Sequence, residues 1–134
     1  ILDNNNEIKI TSYTGNAASV TIPDTLDVNG NSYNVTSISA DAFDGNRYVT
    51  TLTLPRYLND IPGGFLDGNS DISNINVDAN NTTFSSTSGI LYNKDSSSLI
   101  RYPNGKTATT FTVPSTVKTI GYRAFANQKN INTI

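Results

Sequence analysis

The 134-residue sequence contains no cysteine, histidine, tryptophan or methionine, and glutamate occurs once, at Glu7. Without cysteine or histidine there are no disulfides, no thiolate nucleophile, no Cys/His zinc site and no histidine-based triad. Nine lysines and arginines against eleven acidic residues leave a formal charge of −2. That is too little positive charge for a phosphate-neutralising surface, so nucleic acid is not an expected partner. No apolar run approaches the roughly 20 residues of a membrane span, so no membrane insertion is expected, and no signal-peptide pattern opens the chain. An isoleucine at position 1 leads us to expect a processed piece of something longer. The length suits one domain or one array of repeats.

Asn, Ser and Thr make up more than a third of the chain. These side chains compete for backbone hydrogen bonds and favour turns, caps and strands over helix interiors. Apolar and polar residues alternate over 7–13, 19–22, 50–54, 74–77 and 109–113, which predicts short strands. Turn chemistry bounds them, at Thr14-Gly15-Asn16, Pro23-Asp24, Asn29-Gly30, Pro55, Pro103-Asn104-Gly105 and Pro114.

The chain also repeats itself. With Ile38, Ile61 and Ile120 as the origin, residues 38–46, 61–69 and 120–128 align without a gap. Aliphatic residues recur eleven positions on, at Val49, Ile72 and Ile131, and fourteen on, at Leu52, Ile75 and Ile134. Ile38 to Ile61 gives a period of 23 residues. Two units are longer. The surplus in one contains Asn29-Gly30-Asn31, a hairpin signal. The other carries thirteen extra residues, including Gly89-Ile-Leu-Tyr-Asn93 and Ser98-Leu-Ile-Arg-Tyr102 around Lys94-Asp95. Both read as β-hairpins extruded from a coil.

The segment Phe111-Thr-Val-Pro-Ser-Thr-Val-Lys-Thr-Ile-Gly-Tyr-Arg-Ala-Phe125 resembles the BspA-like leucine-rich repeat, a class of bacterial and protozoan surface proteins. Ile10-Thr-Ser-Tyr-Thr-Gly15 and Gly89-Ile-Leu-Tyr-Asn with Leu99-Ile-Arg-Tyr-Pro103 are similar to further segments of that family, and the resemblance covers about residues 7–134. The chain departs from the pattern where family copies often carry Gly-Cys, having Gly45-Asn46 and Gly68-Asn69, and unit 61–69 puts Pro62 and Leu66 in the Gly and Phe slots. The implied fold is a β-rich right-handed solenoid of leucine-rich repeats, with an N-terminal β cap, hairpin insertions, short strands and little helix. Residues 1–19 would form the cap and 20–134 the repeats.

Alternation along a strand sends successive side chains to opposite faces. It places Val20, Leu52, Ile75, Phe111 and Ile134 inward with Ile22, Leu54, Val77 and Val113. Ser19, Thr51, Asn74, Thr110, Thr133, Thr21, Thr53, Asn76 and Thr112 then point outward. A slip of one residue would invert every position, so the stacking is strongly specified. Phe43, Leu66 and Phe125 are expected to fill the opposite side of each coil, and no coil can bury its apolar face alone.

Chemistry-bearing groups are few. The close carboxylate pairs Asp41/Asp44, Asp67/Asp71 and Asp24/Asp27 sit in turns, where Asp accepts local backbone hydrogen bonds, and are read as turn formers. Asp78-Ala-Asn-Asn-Thr82 has oxygens enough to interest calcium but lacks the alternating acidic spacing of a dedicated loop. Every arginine adjoins a tyrosine, at Arg47-Tyr48, Arg56-Tyr57, Arg101-Tyr102 and Tyr122-Arg123, the two residue types enriched at interface hot spots. Three glycosylation sequons begin at Asn34, Asn80 and Asn81 and decide nothing.

The expected function is a non-catalytic cell-surface or secreted module that binds protein in adhesion, without cofactor or metal and as a monomer. A glycan-binding module and a structural spacer are the alternatives. The candidate binding surface comprises Thr51, Thr53, Asn74, Asn76, Thr110 and Thr112 of the outward ladder, with Arg56, Tyr57, Tyr122 and Arg123.

Overall fold

A computed structural model describes residues 6–134; the first five residues of the expected cap lie outside the described residues. Ten short strands and no helix are present among the described residues. The strands are β1 (Glu7–Ile10), β2 (Ser19–Thr21), β3 (Thr25–Val28), β4 (Asn31–Ile38), β5 (Thr51–Leu54), β6 (Asn74–Val77), β7 (Phe84–Thr87), β8 (Ile90–Asn93), β9 (Ser98–Arg101) and β10 (Thr119–Ile120). They form three sheets, ordered β1-β4-β3, β2-β5-β6 and β10-β9-β8-β7.

In the second sheet the repeat register appears as backbone pairing. Val20 faces Leu52 and Leu52 faces Ile75, all parallel, and Leu54 faces Val77. Leu52, Leu54 and Ile75 are wholly buried in a core shared with Phe43, Phe65, Leu66 and Ile72. Each such side chain contributes about 1.5–3 kcal/mol by leaving water, and the 23-residue spacing brings them into one column.

The hairpins exist, but they are not extruded. At the Asn29-Gly30 turn both residues have positive φ, 52° and 83°, as a type I′ turn requires. The β4 strand that follows pairs in parallel with β1. The second insertion is a meander, β7-β8-β9, antiparallel at both joints. Its first two strands pack on β6, and its third pairs in parallel with β10. The apolar run of the insertion explains this placement: Leu91 is buried in the core that holds Ile75, while Ile90, Tyr92 and Leu99 are buried in a separate apolar group.

This meander overturns part of the expected column. The Ser88-Gly89 corner reaches the outer edge of β6, where the Ile75 N–H donates to the Gly89 carbonyl at 2.9 Å. Segment 109–113 therefore does not pair with β6. Among the described residues its only ladder contact is a parallel bridge from Thr110 to Thr133. Phe111 packs in a second, smaller cluster with Tyr92, Leu99, Tyr102, Ala124 and Phe125. Ile134, expected inward, is instead 68% exposed.

The two clusters are built alike. The Tyr13 N–H donates to the Ala42 carbonyl and its ring lies 5.4 Å from that of Phe43. Correspondingly, the Tyr102 N–H donates to Ala124 and its ring lies 5.2 Å from that of Phe125.

Candidate binding surface

The outward ladder divides at the meander. Thr51 faces Asn74 and Thr53 faces Asn76 across β5 and β6, so four of the predicted residues form one continuous polar patch, each half-buried between neighbouring strands. Thr110 and Thr112 are exposed and lie apart. Between Asn74 and Thr110 the surface opens into a groove of about 630 Å³, whose wall includes Ser73, Ser88, Ile90, Tyr102, Lys106 and Phe111. Burial lowers the pKa of Lys106 and raises that of Tyr102.

Arg56 and Tyr57 stand at another corner. The guanidinium of Arg56 lies 4.9 Å from the centre of the Tyr57 ring, a cation–π contact. The Arg56 N–H donates to the Asp24 carboxylate at 2.9 Å. Tyr122 and Arg123 border a third place. Tyr122 is 77% exposed and lies against the backbone of Gly63, beside a cleft of about 220 Å³ lined by Ile61, Phe65 and Ile100. The ten predicted residues thus occupy four separate places.

Arg101-Tyr102 is not a surface pair, since both side chains are 2% exposed. Arg101 is held by the Asp67 carboxylate and by the carbonyls of Arg123 and Ala126, each 2.9 Å away. Asp67 also accepts from the Arg123 Nε, so one carboxylate ties unit 61–69 to the meander and to unit 120–128. Burial lowers the pKa of Arg101, with Asp67 opposing the shift. Hydrogen bonding to Asp67 raises that of Arg123.

Two of the residues that shape the corners, Asn46 and Asn69, were visible in the sequence only as departures from Gly-Cys, and Asn81 only within the polar Asp78–Thr82 segment. Asn69 donates to the carbonyls of Phe43 and Asn46 and accepts the N–H groups of Asp71 and Ile72. Asn46 spans to Gly15 and accepts from Tyr48 and Val49 in the same way. At the other corner Asn81, wholly buried, donates to Pro55 and Leu58 and accepts from Thr83 and Phe84. A signal for this role exists in the recurrence of Asn at the end of aligned units.

Among the carboxylate pairs read as turn formers, Asp24 and Asp67 bond beyond their own turns, to the Arg56 N–H and to Arg101 and Arg123. Asp78 accepts the Asn80 N–H as an Asx turn, and Asn81 spends its side chain on the corner. Among the described residues no group of three or more His, Cys, Asp or Glu side chains is placed to hold a metal, and no helix is long and apolar enough to cross a membrane.

Comparison with known families bears directly on this arrangement. A model of the BspA type leucine-rich repeat region matches residues 9–107 and 102–134, in six copies. The chain belongs to the BspA-type leucine-rich repeat family. Among curated proteins none matches. Among solved structures, this repeat chain is similar to a leucine-rich repeat protein from Eubacterium ventriosum. Identity there is 28%, the TM-score is 0.64, and 75% of this chain and 33% of that one are covered. It is also similar to the pneumococcal vaccine antigen PcpA, at 25% identity and TM-score 0.65, covering 72% of this chain and 24% of that one. A leucine-rich cell surface protein from Faecalibacterium prausnitzii shares the fold at 24% identity and TM-score 0.57, covering 100% of this chain and 27% of that one. The chain thus spans about a third or less of the length of these structures.

Proposed function

We propose that this chain is a non-catalytic protein-binding module of a secreted or cell-surface protein, and that it serves in adhesion. Its windings would follow the right-handed course of a leucine-rich-repeat solenoid, with residues 1–19 as cap and 20–134 as repeats, acting as a monomer. The observation that carries this reading is the paired patch of Thr51, Asn74, Thr53 and Asn76 on a parallel sheet. Its hydroxyls and amides offer donors and acceptors on a rigid frame, so little ordering cost accompanies contact. The description of PcpA as a vaccine antigen supports a place outside the cell.

The test is binding of the immobilised chain to a panel of purified extracellular-matrix proteins, beside a glycan array. We expect saturable capture of a panel protein, weakened by Thr53→Lys and Asn76→Lys and unchanged by Asp27→Lys on the β3-β4 hairpin. Array hits displaced by free sugar, with no protein captured, would move the reading to a glycan-binding module. Neither signal would leave a spacer.

A further inference from the structure

The groove between Asn74 and Thr110 lies where the ladder of repeats is interrupted, and it has an unpaired backbone edge. The Phe111 N–H donates to Thr133 and the Thr109 carbonyl accepts from Asn132. In a parallel strand the intervening groups project to the opposite edge, so the N–H of Thr110, and beyond it that of Thr112, faces away from Thr133. Neither has a hydrogen-bond partner among the described residues.

The groove is also charged in one sense. Among the described residues Lys106 is its only ionised lining residue, and no carboxylate lines it. The ammonium has no ion pair or hydrogen bond among the described residues. Partial burial already disfavours its charge, so an incoming anion would be met by a cation that no other group neutralises. The backbone beneath is fixed, with the Gly105 N–H on the Ile72 carbonyl at 2.8 Å and the Asn130 amide on the Lys106 carbonyl at 2.8 Å. The half-buried Phe111 adds apolar surface for a side chain of the ligand, over a floor that the buried Ile90 and Tyr102 complete.

We propose that this groove takes an extended segment of a partner protein as an added β-strand along Thr110–Thr112, with an Asp or Glu of that segment meeting Lys106. Main-chain hydrogen bonds would hold such a strand, and pockets for every second side chain would select it. The inference rests on the protein-binding reading above and assigns it a ligand class and a place.

Random heptapeptides displayed on phage and selected on the chain supply the probe, with binders synthesised, labelled with fluorescein and measured by anisotropy. We expect an acidic residue at a fixed position among β-branched neighbours. Lys106→Glu should weaken binding at least tenfold, with Asp27→Lys unchanged and melting temperatures alike. In the unaltered chain, saturating peptide should slow hydrogen exchange of the Thr110 amide at least tenfold, a readout that needs no folded variant. Binders without an acidic position, affinity indifferent to Lys106→Glu, an unprotected Thr110 amide, or no binder at all would each overturn the proposal. Matrix-protein capture that survives Lys106→Glu overturns only this assignment; loss of all capture by the unaltered chain overturns the broader reading as well.

Discussion

Arg101 reaches from β9 to Asp67, 34 residues earlier, and closes on its carboxylate at 2.5 Å within the protein interior. The two partners are unequal. The Arg101 side chain is 2% exposed, whereas that of Asp67 is 22% exposed and also holds Arg123. Removing one partner of a buried pair leaves an uncompensated charge, at about 3–5 kcal/mol. Asp67→Ala should therefore destabilise by about 3 kcal/mol, because the Arg101 cation stays sealed in. Arg101→Met should cost less, since Asp67 keeps Arg123 and solvent. Urea unfolding of both variants orders them, and equal midpoints would remove the asymmetry claimed for the pair.

The asparagine corners make a graded prediction. Asn81 and Asn69 each make four hydrogen bonds to backbone and are almost wholly buried. Substitution by alanine strands carbonyls and N–H groups that cannot all reach water, at about 1–3 kcal/mol for each buried orphan. We expect Asn81→Ala and Asn69→Ala to cost about 2–4 kcal/mol. Asn46→Ala should cost less, because its corner is partly open to solvent. Denaturation midpoints in that order support the corner role; an Asn81→Ala protein as stable as the parent would contradict it.

What could be read in advance follows from which interactions are periodic. Leu52 and Ile75 were legible because alternation along a strand and the 23-residue spacing both place them inward. Phe111 satisfied the same count and was misplaced, because counting columns leaves the surplus hairpin outside the stack. Leu91 of the insertion joins the core that holds Ile75, whereas Ile90, Tyr92 and Leu99 gather Phe111 into a separate cluster away from it. Asn69 and Asn81 could be seen but not interpreted, since an amide is worth burying only where a neighbouring winding supplies carbonyls. The split of the outward ladder at Asn74 and Thr110 was invisible for the same reason, being a product of tertiary packing.

A local titration is expected at Asp95. Its carboxylate accepts the Ser97 hydroxyl at 2.6 Å and the Ser97 N–H at 3.1 Å. These bonds, the hydroxyl foremost, hold the group below the usual carboxylate range. A folded pKa below the unfolded value means that the contribution to stability is full above the unfolded pKa. It is lost as pH falls through the folded one. Ser97→Ala should raise the Asp95 midpoint toward the ordinary value, as followed by carbon NMR of its carboxyl. An unmoved midpoint would show that the hydroxyl is not the cause.

The division into two apolar clusters predicts two levels of local opening. The larger holds the wholly buried Leu52, Leu54, Ile75 and Val49, while the smaller leans on the half-buried Phe111, Val117, Phe125 and Ile131. Fewer buried side chains mean less apolar area to expose, so the unit from β9 onward should open at lower free energy than the β2-β5-β6 sheet. Native-state hydrogen exchange separates the two. The amides of Phe111 and Gly121, donating to Thr133 and Leu99, should exchange through a partial opening. Those of β5 should exchange only with global unfolding. Leu52→Ala, in the larger cluster, should cost about 3–5 kcal/mol and raise the exchange of β5, whereas Phe111→Ala should cost less and speed only the second group. Identical opening free energies for both groups would mean that the meander joins the clusters into one cooperative unit.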